Sequence, residues 1–305
     1  MKNFILIIFT CLPSINIFAM EITTQDLPTS YSGINNLFTR INITGLFSQG
    51  FTGKNIHVAF LDDYIRFDPH YLKDKELKVP RVYQPYQFYG PKNHATLMAF
   101  IVGANNLGLK YGNKTGIAPG VKIASYSSEI IHYDSIIHAR ENLGVSIVNI
   151  SLQGITPRQL RFGFSNVDKS FKQTAVVVIA GNGRQQEPTS MATGLHENYY
   201  PEHGNIIVTV ALDYRGQLTS KSRKCGKTRL FCVGVPSNGA TSTTAPVVTG
   251  ALALLMEAVP GLEVQKYIQA LLKTASHADD PNEETGMGLI NVDEAHKWLL
   301  NNQER

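Results

Sequence analysis

Short apolar runs bounded by Gly, Asn, Asp or Ser recur along the chain: Ile56–Leu61, Val121–Tyr126, Val145–Ile150, Ala175–Ile179 and Ile206–Leu212. They are rich in Val and Ile and nearly continuous rather than alternating. That is the pattern of strands buried on both faces of a parallel sheet. Helix-like stretches separate them at Thr96–Val102, Tyr133–Leu143 and Arg158–Lys172. Strand and helix in alternation predict an α/β fold, a three-layer sandwich with a mainly parallel central sheet. After Ser242 the pattern is helical: Thr243–Val259, Val264–Thr274 and Asp293–Asn301. Residues 21–50 carry Gly and Asn punctuation and read as an irregular arm. No repeat, low-complexity tract or linker interrupts the pattern, so 20–305 is read as one domain.

The stretch Asn238–Leu254, NGATSTTAPVVTGALAL, joins a turn and a hydroxyl cluster to a long apolar helix. Its hydroxyls are expected to cap the free N–H groups of the helix start. Pro246 suits a first turn, where its missing N–H would be unpaired anyway. A serine at such a start lies near backbone donors and the positive end of the helix dipole, which can hold an oxyanion. Taken alone, the stretch reads more readily as a capped core helix.

Composition narrows the function. Of 305 residues, 43% are hydrophobic, enough for a sizeable core. The net charge of +4 is spread out, with no basic run, so no nucleic-acid partner is expected. At the N-terminus, Lys2 precedes the apolar run Phe4–Leu12, with Ala19 beyond it. This reads as a signal peptide over 1–19, too short an apolar run to span a bilayer stably. The expectation is an exported protein, secreted or periplasmic, with no stable membrane anchor after signal removal. Cys225 and Cys232, in KCGKTRLFC, then read as a disulfide, since an even pair in an oxidising compartment is normally oxidised.

Ligands of open parallel sheets lie at the carboxyl ends of the strands. Asp62 ends the first run, Asn149 and Ser151 the third, and Gly181-Asn182-Gly183 the fourth. His94 opens a helix in NHATLMAFIVGA. A serine becomes a useful nucleophile only when a base takes its proton and a third group orients the base. Each residue has an ordinary explanation by itself: an Asp at a strand end forms turns, an Asn between glycines tolerates positive φ, and His94 is one of nine histidines. The order Asp, His, Asn, Ser in these contexts is much harder to reach by accident.

The pattern resembles the subtilases, subtilisin-like serine peptidases, over nearly all of the chain beyond the N-terminus. SQGFTGKNIHVAFLDD is similar to the family's first strand and catalytic aspartate, NHATLMAFIVGA to its histidine helix, and VSIVNISLQG to the strand bordering substrate. VVVIAGNG is similar to its oxyanion turn and ATSTTAP to its nucleophile. The chain order is the one known for subtilisin. The resemblance implies a subtilisin-like fold and a serine endopeptidase. Asp62, His94 and Ser242 would form its triad and Asn182 its oxyanion hole, with Ser151, Leu152, Gln153, Gly154 and Gly181 meeting a peptide or protein substrate. Substrate would pair with the 151–154 segment as an added strand.

Departures from the family pattern fall at Ala95 and Ala240, where relatives carry glycine, at Asp63 and Tyr64 after the aspartate, and at Gln153. An alternative reading is a subtilase-fold binding module without useful catalysis; a weaker one is ligation or esterolysis at the same site. No cofactor is expected for catalysis. Structural calcium is common in the family, but no compact acidic cluster supports it here, and Tyr71 stands where some relatives have an acidic ligand. No metal ligand is therefore assigned. About thirty residues lie between the expected signal cleavage and the first strand, too few for a folding domain. Either the chain folds unaided or a separate folding helper or inhibitor exists.

Overall fold

The computed structural model describes residues 34–67, 70–84, 94–105, 115–127, 133–153, 168–237 and 239–302. Gly154, Asn238, the 1–19 segment and most of the Arg158–Lys172 stretch lie outside them.

Seven strands form one sheet: β1 His57–Asp62, β2 Glu76–Leu77, β3 Lys122–Ser127, β4 Ile147–Ile150, β5 Ala175–Ile179, β6 Ile206–Leu212 and β7 Cys232–Pro236. Their order is β2-β3-β1-β4-β5-β6-β7. Every strand pair is parallel. β4, β5 and β6 are buried at every residue, which is why their sequences are unbroken apolar runs. Two strands escape the sequence reading. β2 is a half-buried pair of residues, and β7, CVGVP, has a glycine and a proline that mute its apolar signal.

The helices are α1 Ile34–Arg40, α2 Thr44–Ser48, α3 His94–Gly103, α4 Tyr133–Leu143, α5 Asp168–Lys172, α6 Ser190–His203, α7 Thr244–Ala258, α8 Val264–Lys273 and α9 Val292–Asn301. Parallel crossovers are right-handed. The chain passes from β1 to the edge strand β2, returns through α3 to β3, and then moves in one direction through β4, β5 and β6. The right-handed crossovers through α4, α5 and α6 therefore share one face, while α3 packs against α7. α7 joins α3 on its face and runs across β4, β5, β6 and β7, backed by α8 and α9. This is the expected three-layer α/β sandwich. The winding reverses between β1 and β4, so the carboxyl ends of these neighbours border a crevice suited to a ligand.

The expected irregular arm is partly helical. α1 and α2 fall inside it, and Ile41, Ile43 and Leu46 are fully buried. Tertiary burial, including α2 against α9, overrides the weak local signal of these short helices. This region also docks through backbone: Val292 and Asp293 donate to the carbonyls of Ile41 and Asn42 at 2.9 and 2.8 Å.

Candidate active site

β1 delivers Asp62 to the crevice, wholly buried at the last strand position. Its Oδ1 accepts the Asp63 N–H at 2.7 Å. The His94 Nδ1 lies 2.8 Å from the same oxygen and 3.1 Å from Oδ2. His94 is the first residue of α3, and its ring is about one-third exposed, with a side-chain accessibility of 30%. The facing carboxylate selects the tautomer with a proton on Nδ1, leaving Nε2 to accept. Burial works against the imidazolium. The hydrogen bond and charge of Asp62 and the charge of Asp63 outweigh it, and His94 titrates above the ordinary histidine value.

The segment after Asp62 is pinned by two hydroxyls that no motif singles out. Ile65 N–H donates to Ser125 Oγ at 3.0 Å and Arg66 N–H to Thr96 Oγ1 at 2.9 Å. The second bond ties the turn beyond Asp62 to the first turn of the helix that carries His94.

Ser242 sits in a 3-10 turn, Thr241–Thr243, that leads into α7. This turn packs against α3 and β6. Ser242 is half-buried, and among the described residues its hydroxyl has no hydrogen-bond partner. The neighbouring hydroxyls correct the capping expectation. Thr243 makes no side-chain cap for α7. Instead Thr243 Oγ1 donates to the Ala240 carbonyl at 3.0 Å and Thr244 Oγ1 to the Thr241 carbonyl at 2.7 Å. The tight turn before the helix already presents carbonyls three residues back, and the hydroxyls bond those. Buried Thr244 also pairs with Thr209 of β6 at 2.7 Å, fixing the start of α7 on the sheet.

Asn182 follows β5 in a turn whose glycines both need positive φ: 104° at Gly181 and 128° at Gly183. Its Oδ1 accepts the Thr241 N–H at 2.9 Å and the Thr241 hydroxyl at 3.0 Å. With the carbonyl end held this way, the amide NH₂ is the remaining donor end of the side chain. The turn is braced by a short second segment, Lys221–Arg223: Gly183 N–H bonds the Lys221 carbonyl at 2.8 Å, and Arg223 N–H bonds the Gly181 carbonyl at 2.9 Å. Sequence reasoning does not select Thr241 or Arg223. Their ties to Asn182 span 59 and 41 positions and come only from tertiary docking.

Ser151 is buried where β4 ends, its hydroxyl accepting from Asn149 Nδ2 at 2.8 Å. Asn149 Oδ1 in turn accepts from Thr249 of α7 at 3.1 Å, which locks β4 to the helix behind Ser242. Leu152 is half-buried and Gln153 exposed. Gln153 Oε1 accepts the Asn182 N–H at 2.9 Å. Cys225 and Cys232 are bonded to each other, both fully buried. Ligand atoms of Asp62, Asp63 and His94 lie within 4.8 Å of one another. The facing atoms of Asp62 and His94 already bond each other, so the cluster is an acid–base pair with a neighbouring charge rather than a preformed cation cage.

The parallel α/β sandwich thus carries an Asp–His pair at one strand end, and the serine-bearing turn packs against the helix that holds His94. The family model of the subtilase family matches residues 52–288, and this chain belongs to that family, a serine-type endopeptidase by membership. Subtilisin DY of Bacillus licheniformis is 27% identical over 270 residues, covering 81% of this chain and 93% of its own. Serotype-specific antigen 1 of Mannheimia haemolytica is 30% identical over 146 residues, and the match spans 40% of this chain but only 16% of that longer protein. Among solved structures, the prenylagaramide maturation protease PagA superposes with a TM-score of 0.65 at 19% identity, covering 84% of this chain and 98% of PagA. MycP1 of Mycobacterium smegmatis superposes with a TM-score of 0.62 at 16% identity, covering 85% and 83%.

Proposed function

We propose that the chain is an exported endopeptidase in which Asp62, His94 and Ser242 act as the triad and Asn182 supplies the oxyanion hole. The observation that carries this reading is the bond that His94 Nδ1 donates to buried Asp62, with Ser242 on the turn packed against the same helix. His94 Nε2 takes the Ser242 hydroxyl proton as Oγ attacks a peptide carbonyl. Asp62 orients the ring and stabilises the imidazolium. The Asn182 amide and the Ser242 N–H face the developing oxyanion. His94 then gives the proton to the leaving amine, and water releases the acyl group. The open hydroxyl of Ser242 is compatible with this, because catalytic bonds often tighten only once substrate is bound.

Export is supported by the basic and apolar start of the chain and by a buried disulfide, a bond that persists in oxidising compartments. Among the described residues, no helix is long and apolar enough to cross a membrane. One structural neighbour belongs to a periplasmic assembly of the ESX-5 inner membrane complex, a setting in keeping with the reading. The 20–305 region is taken as one peptidase domain, and calcium is not required in this mechanism.

The test is labelling of the purified protein with a fluorophosphonate beside Ser242→Ala. Labelling of the wild type alone is expected. A folded wild type that stays unlabelled would remove the endopeptidase reading and leave the binding-module alternative.

A further inference from the structure

β4 and β5 are neighbours in register up to Ile150 and Val178, and each runs out into the crevice shortly afterwards. Ser151–Gln153 leaves one strand and Ala180–Asn182 the other. Beyond Ile150 and Val178, among the described residues, no strand pairing joins the two segments, so the gap between their carboxyl ends is open to a side chain. Here the gap is bridged. The Gln153 side chain reaches from the β4 side, and its Oε1 accepts the Asn182 N–H at 2.9 Å. That N–H belongs to the residue whose side chain is fastened to Thr241, the immediate neighbour of Ser242. The bridge therefore lies directly beside the reacting carbonyl position of the proposed mechanism.

The β5 side has no slack to offset it. A methyl group at Gly181 would come within 2.4 Å of Thr189 Cγ2 and 3.2 Å of Arg223 Cδ, so that backbone is already closely covered. Thr189 is held there by its N–H on the Ala180 carbonyl at 2.8 Å, and Arg223 by its N–H on Gly181. Only the bridge itself can move, since Gln153 is exposed.

We propose that Gln153 determines specificity by closing the gap between the β4 and β5 ends, so that the residue preceding the scissile bond must be small, glycine or alanine. The inference rests on the endopeptidase reading. An extended substrate paired along Ser151–Gln153 directs the side chain next to its scissile carbonyl into this gap. A hydrogen or a methyl passes beneath the carboxamide. A larger side chain must break the bond to Asn182 and swing Gln153 out, leaving the Asn182 N–H to a water or to nothing. The expected discrimination is about tenfold or more, the ordinary scale for a misfit at a shaped apolar site.

The experiment uses two peptidyl diphenyl phosphonates, identical except for an alanine or a phenylalanine side chain at the phosphonate, and a fluorophosphonate with no such side chain. All three report on the nucleophilic serine of the whole protein. The alanine probe should label wild type at least tenfold faster than the phenylalanine probe, and Gln153→Gly should cut that ratio by about tenfold. Gln153→Glu, which keeps an acceptor for the Asn182 N–H, should keep the ratio and covers the case in which the glycine variant fails to fold. Equal wild-type rates for the two probes overturn the proposal, as does a ratio that Gln153→Gly leaves unchanged. Wild type unreactive even to the fluorophosphonate is a different failure: it removes the endopeptidase reading and this inference with it.

Discussion

Asn182 has two jobs that can be separated by substitution. Its Oδ1 is the acceptor for both the N–H and the hydroxyl of Thr241, a residue with no exposed surface. Its NH₂ is the proposed oxyanion donor. Asn182→Ala removes both ends. Two buried donors lose their partner, at about 1–3 kcal/mol each where water cannot replace it, so a loss of about 2–6 kcal/mol in unfolding free energy is expected. Loss of the donor should slow turnover by about 10²–10³-fold, the magnitude established for the oxyanion asparagine of subtilisin. Asn182→Asp keeps an oxygen where Thr241 needs it but brings a negative charge to the oxyanion position. Stability near neutral pH should stay within about 1 kcal/mol of wild type, while turnover falls at least as far as in the alanine variant. Urea unfolding and the initial rate of an activated ester read the two quantities independently. If Asn182→Asp is as unstable as Asn182→Ala, the acceptor role is wrong. If Asn182→Ala keeps wild-type turnover, the donor role is wrong.

The charge of Asp63 raises the His94 titration, and the base is lost as pH falls through it. Asp63→Asn should therefore move the acid limb of the labelling-rate profile to lower pH and leave the alkaline plateau nearly unchanged; an unmoved limb would show that Asp63 does not act on His94. The same raised titration means that protonated His94 adds stability below the ordinary histidine value, lost as pH rises through the folded-state value, and Asp63→Asn should reduce that low-pH contribution in urea titrations. Gly250, inside α7, faces Ile117, and an added methyl would meet Ile117 Cγ2 at 2.6 Å. Gly250→Ala should destabilise by about 1–2 kcal/mol, because overpacking of about 1–3 kcal/mol exceeds the helix-propensity gain; a higher melting temperature would contradict it. The Cys225–Cys232 bond closes a short loop with a sequence separation of 7. Replacing both with serine should cost about 2.5 kcal/mol on the chain-entropy relation, checked by denaturant unfolding.

The sheet was legible because its inner strands are buried on both faces. AVVVI and IIVTVAL leave no polar break, and their predicted and observed limits coincide at Ala175–Ile179 and Ile206–Leu212. α6 was not legible. Its sequence, SMATGLHENYYPEH, carries Gly194 and Pro201 and no apolar stripe, and it is held by its place against β5 and β6. At the site, residue types and chain order pointed to Asp62, His94, Asn182 and Ser242. What positions them did not show. Thr241, Arg223, Ser125 and Thr96 are ordinary polar residues in the sequence, and each acquires its partner only when distant segments dock.

The two alanines that replace family glycines are better weighed by backbone than by letter. Ala240 has φ −83° and ψ 133°, an extended conformation open to any residue. It is also exposed, so the fold does not have to find room for its methyl in the core. Ala95 lies in the first turn of α3, fully buried without forcing a positive φ, and alanine is the best helix former. Neither position needs glycine in this chain. Gly181 and Gly183 do, because their φ values are 104° and 128° and a side chain at Gly181 would strike Thr189. The glycines retained are the ones that hold Asn182 in its turn, and those replaced sit where the backbone is ordinary. Two of the remaining departures change the chemistry, Asp63 and Gln153, one adding charge beside His94 and the other bridging to Asn182. Both leave the Asp62–His94 bond and the Thr241–Asn182 tie in place, so what distinguishes this chain from its relatives should emerge in its pH profile and its choice of substrate.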